Sequence, residues 1–168
     1  GVQTCALPIC KGEVIAYTVQ NKVESKVEIL KKEPLSTGSK LKIEDAEVIC
    51  AGGRGFGCPE KFNALEGLAE LFEKGAVAGS RAAVDDKWVD HASQVGQSGK
   101  TVTPKLYFAC GISGALQHIS GMKESEVIVA INKDENAPIF EVAHYGIVGD
   151  INVILPKLIE KIKAYKEG

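Results

Sequence analysis

Short apolar runs alternate with amphipathic or glycine-rich stretches from about residue 45 to the end of the chain. Residues 45–51, Asp-Ala-Glu-Val-Ile-Cys-Ala, enter Gly52-Gly53-Arg54-Gly55, the pattern of a strand running into a glycine turn. Residues 59–74 then carry Phe62, Leu65, Leu68, Ala69 and Phe72 at helical spacing. Pro59 suits the first turn of that helix and Gly75 its end. Residues 76–79 form a short strand leading to Ser80-Arg81, and 106–109 (Leu-Tyr-Phe-Ala) have the length and aromatic content of a buried strand. After Cys110-Gly111 the chain reads as a helix that Ser113 can cap. Residues 126–131 are the clearest buried strand and end in Asn132-Lys133-Asp134. The run 139–142 is short and extended, and 145–150 leads to a final amphipathic helix over about 151–165 with Asp150 as N-cap.

Strands alternating with helices predict an α/β fold, a Rossmann-like parallel sheet flanked by helices on both faces. In such sheets ligands bind beyond the carboxyl ends of the strands. The polar and glycine-rich segments at Arg54, Ser80-Arg81, 113–118 and Asn132 all fall at those ends.

The region before residue 45 has a different character. Residues 13–20 and 23–32 are partly alternating and read as strands, and 34–38 read as a loop. Residues 1–9, Gly-Val-Gln-Thr-Cys-Ala-Leu-Pro-Ile, match the translation of a sequencing-adapter oligonucleotide and are set aside from fold reasoning. The expected division is therefore 1–9 as a scar, 10–44 as preceding strands and linker, and 45–168 as the principal domain.

Composition narrows the function classes. The chain has 168 residues and a formal net charge of −2, so bulk electrostatics favour neither nucleic acid nor a membrane surface. Aromatic residues make up 6%, too few for a base-stacking platform, and no apolar run approaches membrane-spanning length. The 5 cysteines contain no Cys-x-x-Cys pair and the 3 histidines are scattered, which argues against zinc. Cys50 and Cys110 sit in apolar runs as inert core thiols, a pattern suited to a reducing cytoplasm.

Three familiar signatures nearly match and fail. Gly99-Lys100-Thr101 resembles the end of a P-loop, but Gln94 stands where the first glycine belongs. Gly53-x-Gly55 is followed by Cys58 where the dinucleotide fingerprint needs glycine. Gly111-x-Ser113 resembles a nucleophile elbow, but Ala115 replaces its final glycine. On one helix Ser113 and His118 would also lie on different faces, so they do not pair as nucleophile and base. Singly, the polar residues have ordinary roles: Arg81 pairs with Asp85 or Asp86, Asn132 forms a turn, and Gln97, Ser98 and Gly99 make a tight loop with an amide, a hydroxyl and a free N–H.

Taken in series they carry a resemblance. The segments Ser80-Arg81-Ala82-Ala83-Val84-Asp85, Gln94-Val95-Gly96-Gln97-Ser98-Gly99-Lys100, Gly111-Ile112-Ser113-Gly114-Ala115-Leu116-Gln117-His118, Ile131-Asn132-Lys133-Asp134 and Tyr145-Gly146-Ile147-Val148 with Asp150 are similar to the C-terminal FAD domain of the electron transfer flavoprotein alpha subunit family. The resemblance covers about 47–165, and His144 departs from it where an acidic residue is frequent. It implies FAD held by Arg54, Ser80, Arg81, residues Gln94 to Gly99, residues Ser113 to His118, Asn132 and Asp150. Arg81 would lie over the flavin ring, Ser98 would donate to N5, and His118 would face the pyrimidine carbonyl. Gly96, Gln97 and the 113–117 turn would hold ribityl and pyrophosphate. Asn132 and Asp150 would bind the adenosine end, and Arg54 the diphosphate region. Arg81 with His118 would favour negative charge on the reduced ring; a cation about 4 Å away at an effective dielectric near 20 is worth roughly 4 kcal/mol, on the order of 170 mV for one electron.

The resemblance further implies a carrier without its own substrate or catalytic residue. Its partners would be an electron transfer flavoprotein beta subunit, in a heterodimer, and flavin-containing dehydrogenases, with no nucleic acid and no membrane insertion. Most of an N-terminal domain would be missing before residue 45. The alternative is an NAD(P)-binding enzyme domain of transhydrogenase-like or deoxyhypusine-synthase-like topology.

Overall fold

Val48 begins a five-residue strand that is buried at four positions and bonded on both sides, so it can only be central. The computed structural model describes residues 41–167. The expected strands at 13–20 and 23–32 and the 34–38 loop lie outside the described residues. Five parallel strands follow in chain order: β1 Val48–Gly52, β2 Gly75–Gly79, β3 Leu106–Cys110, β4 Val127–Asn132 and β5 Tyr145–Val148. Their spatial order is β2-β1-β3-β4-β5, with every neighbouring pair parallel. This is the expected α/β architecture.

Alternation of side chains along each strand builds two cores. Ile49, Ala51, Tyr107, Ala109, Ile128 and Ala130 pack on one face with Val95, Val102, Met122 and Ile139. Cys50, Phe108, Cys110 and Ile131 pack on the other with Phe62, Leu65, Leu68, Ile151 and Leu155. Both faces are covered, which is why the inner strands read as nearly continuous apolar runs. Burial raises the thiol pKa of Cys110 to about 12, and burial followed by the charge of Cys110 pushes that of Cys50 higher still. Both thiols are inert core residues.

The expected helix over 59–74 is two shorter ones, α1 Pro59–Phe62 and α2 Ala64–Ala69. The break falls at Asn63, a weak helix former, whose carbonyl takes a tight bond from the Glu66 N–H. Residues 70–74 are turns, and Gly75 opens β2 instead of closing a helix. α3 spans Arg81–Asp85 and α4 only Leu116–Ile119. The run at 139–142 is not extended but a helical turn, α5 Ile139–Val142. Pro138 precedes it in helical conformation, and the Ile139 N–H donates to the Ser113 carbonyl. α6, Ile151–Glu167, is capped as expected: the Asp150 carboxylate accepts the Asn152 N–H at 2.8 Å.

Candidate functional site

The strand order reverses between β1 and β3. Chain leaves β1 toward β2 on one side and β3 toward β4 on the other, which opens a crevice beyond their carboxyl ends. A cavity of about 730 Å³ lies there, walled by Gly53–Gly55 after β1, Ser80–Ala82 after β2, Gly111–Ser113, Ala115, Gln117 and His118 after β3 and Asn132 after β4. Arg54, Ser80, Arg81, Gln94, Val95, Gly96, Gln97, Ser98, Ser113, Ala115, Gln117, His118 and Asn132 all line it. Gly99, Gly114, Leu116 and Asp150 do not. Gly53, Gly55, Ala82, Asp85, Asp86, Gly111 and Ile112 line it as well, without having stood out as candidates in the sequence.

The loop 94–100 is tightly closed. The Gly99 N–H bonds the Gly96 carbonyl, so it is not the free donor expected there, and the Gln97 N–H bonds the Gln117 carbonyl at 2.7 Å. What the loop does offer is a hydroxyl: Gln94, buried, donates its amide to Ser98 Oγ at 2.8 Å, leaving the hydroxyl hydrogen free. Gly96 sits at φ +134, and a Cβ there would come within 2.7 Å of the Gln117 carbonyl oxygen.

The turn after β3 differs from its expected form. Ser113 does not cap a helix; Ala115 holds the N-cap position and α4 is a single turn. Its dipole is correspondingly small. The donors come instead from unpaired backbone: no described residue accepts a hydrogen bond from the N–H groups of Ser113 to Gln117. A run of free N–H groups in a turn is a cradle for an anion. Gly114 is buried at φ +91 and packs against the Ile139 backbone, so its part is to make the turn possible.

Arg81 is the surface partner of Asp85, at 3.5 Å, and 74% of its side chain is exposed. Ser80 caps α3, its Oγ accepting the Ala83 N–H at 3.4 Å. Asn132 is a turn former and a strap: its carbonyl oxygen accepts the Asp134 N–H, and its amide donates to the Ile112 carbonyl. Asp150 lies in a second cavity of about 240 Å³ that shares Gly55, Gly111 and Asn132 with the first. The two cavities thus continue from the 113–118 turn toward Asp150.

His118 is 6% exposed in the cavity wall. Its Nε2 lies 3.0 Å from the Tyr107 hydroxyl. Its Nδ1 is buried with no hydrogen-bond partner among the described residues. Burial pulls its pKa down to about 4, and the backbone of Val95 beside the ring opposes part of that shift. The imidazole is therefore neutral at neutral pH. The expectation that His118 adds its charge to that of Arg81 is corrected: the buried imidazole is neutral and offers only hydrogen bonds.

The FAD-binding domain of electron transfer flavoproteins, taken as a family model, matches residues 42–123. The chain belongs to the electron transfer flavoprotein alpha subunit family. It is 51% identical over 156 residues to "Protein FixB" of Clostridium saccharobutylicum, covering 92% of this chain and 45% of that protein. It is 48% identical over 158 residues to an electron transfer flavoprotein subunit alpha of Thermoanaerobacterium thermosaccharolyticum, covering 92% of this chain and 47% of that one. It is 56% identical over 131 residues to the subunit alpha of Megasphaera elsdenii, covering 77% and 38%. The chain thus spans about half the length of the curated relatives it matches.

FAD is the cofactor of the matched family domain. The residues that line the crevice fit it. The continuous N–H run suits a pyrophosphate, and the partnerless Nδ1 of His118 requires a partner that the described residues do not supply. No helix among the described residues is long and apolar enough to cross a membrane.

Proposed function

We propose that this chain supplies the FAD-holding domain, over about 45–168, of an electron carrier. It takes electrons from flavin-containing dehydrogenases and passes them to a downstream acceptor, in the cytoplasm of a prokaryote. The observation that carries the proposal is the convergence of Arg54, Arg81, Ser98, the 113–118 turn and Asn132 on one crevice at the strand-order reversal.

Bound FAD supplies the one- and two-electron redox chemistry. The protein's own residues position and bias it. The Ser98 hydroxyl, held by Gln94, donates to the flavin ring at N5. His118 hydrogen-bonds the pyrimidine edge. The N–H groups of 113–117, with Gly96 and Gln97, hold ribityl and pyrophosphate. Arg54 serves the diphosphate, and Asn132 and Asp150 serve the adenosine end along the second cavity. Arg81 places a positive charge beside the ring.

The site's exposure supports a heterodimer with an electron transfer flavoprotein beta subunit. Arg81 is largely exposed and Leu116, beside the cavity, is 79% exposed. A second subunit that covers them excludes water, which strengthens the Arg81 charge. Nothing in the cavity geometry favours the NAD(P) alternative. Redox titration of the full-length protein with FAD bound tests the role of Arg81. In Arg81→Ala the first reduction potential falls, by about 40 mV if solvent screens a contact charge and about 170 mV if water is excluded. An unchanged potential contradicts the role.

A further inference from the structure

Tyr107 has no part in the site as described so far. It lies within β3, fully buried, and among the described residues the one hydrogen-bond partner of its hydroxyl is His118 Nε2, at 3.0 Å. The rings meet edge to face with centroids 6.2 Å apart.

Counting hydrogens decides which group donates. The phenol has one hydrogen and the neutral imidazole has one. If Nε2 carried the imidazole proton, it would donate to the phenol oxygen. The phenol hydrogen would then be buried without an acceptor, and Nδ1 would be a bare acceptor. If the phenol donates to Nε2, its hydrogen is used and the imidazole proton sits on Nδ1. Only the second arrangement leaves no phenol hydrogen stranded. Burial raises the Tyr107 pKa, so the hydroxyl keeps its hydrogen.

We propose that Tyr107 is a positioning residue, whose hydroxyl donates to Nε2 of His118, fixes the imidazole proton on Nδ1, and so makes His118 a hydrogen-bond donor to an oxygen acceptor on the bound ligand. The ligand half of this statement rests on the FAD assignment above; the tautomer half concerns the chain alone. A neutral imidazole whose one nitrogen is pinned as an acceptor can only donate at the other. It favours a carbonyl-type oxygen, and favours it more as negative charge gathers there. His144 provides the opposite case in the same molecule. Its Nδ1 accepts the Ile128 N–H at 3.0 Å, so its proton belongs on Nε2.

The test is nitrogen NMR of the full-length protein with its second subunit, labelled with 15N in the histidine rings, first without FAD. His118 carries its proton on Nδ1 and His144 on Nε2. In Tyr107→Phe, His118 becomes a mixture of tautomers while His144 is unchanged. A wild-type His118 protonated on Nε2, or a tautomer indifferent to Tyr107→Phe, overturns the proposal. FAD titration gives the second arm. Tyr107→Phe weakens binding about tenfold, ~1.4 kcal/mol, and has no further effect when His118 is alanine. An equal loss with and without His118 shows that the phenol acts otherwise and overturns the proposal. Should the wild-type protein not bind FAD, the functional assignment fails, and the ring-nitrogen signals still decide the role of Tyr107.

Discussion

Gln94 Nε2 donates to Ser98 Oγ at 2.8 Å, from a residue 3% exposed to one that is exposed at the cavity. The buried amide thereby fixes which of the hydroxyl's functions is spent. Ser98 accepts from Gln94, and its hydroxyl hydrogen stays available to donate.

Ser98→Ala removes that donor without disturbing the loop's backbone bonds. We expect FAD affinity of the full-length protein to fall about fivefold to tenfold, ~1 kcal/mol for one hydrogen bond. Ser98→Thr keeps the hydroxyl and retains most of the affinity. Fluorescence titration of FAD measures both, and wild-type affinity in Ser98→Ala contradicts the assigned donor.

His118 makes stability depend on pH. Its pKa is about 4 in the folded protein against an ordinary histidine value of 6.5. Between those values the unfolded chain binds the extra proton, so stability is complete above about pH 6.5 and declines as pH falls toward 4. The loss attributable to this residue is about 3 kcal/mol across the window. Chemical denaturation of the cofactor-free protein shows it as a slope that His118→Gln flattens. Equal slopes in both proteins would place the imidazole in water.

Gly114→Ala tests the turn without touching the cavity wall. The residue sits at φ +91, and a Cβ would approach the Ile139 backbone nitrogen to 2.1 Å. Strain and the forced shift of α5 cost about 2–4 kcal/mol. The denaturation midpoint drops accordingly. Since the 113–117 N–H groups lose their arrangement, FAD affinity drops with it.

His144 shows how a departure from a family pattern keeps its physical role. The Ile128 N–H needs an acceptor at the end of the β4–β5 pairing, and His144 Nδ1 supplies it. His144→Asp keeps an acceptor and is expected to hold the melting temperature within a few degrees. His144→Leu leaves the partly buried N–H unpaired and costs ~1–3 kcal/mol. Thermal unfolding of the two variants separates the cases.

The sheet was legible because its inner strands are buried on both faces and so are written as apolar runs, as at 106–110 and 127–132. The run at 139–142 misled for a related reason: four residues, three of them apolar, fit a strand or a helical turn, and the preceding Pro138 and the Ser113 carbonyl decide it. Ser113 looked like a cap because it stands in a glycine turn before a helix, yet the turn continues to Ala115. Most of the site was visible as polar residues at strand ends. Gly53, Gly55 and Gly111 were visible only as turn glycines, since they act through backbone and bring two turns together, with Gly111 Cα within 2.6 Å of where a Gly55 Cβ would stand. Tyr107 was invisible as a site residue. Nothing local marks a strand tyrosine, and its tie to His118 exists only once β3 and α4 are folded together.

The crevice beyond β1, β3 and β4 is the proposed seat of FAD. Equilibrium titration of FAD into the cofactor-free full-length protein, followed by its visible absorption, tests it most directly. Saturation at one FAD per crevice is expected, with the spectrum perturbed by a surrounding site. A folded protein that leaves the flavin spectrum unchanged and takes up NADPH instead would contradict it.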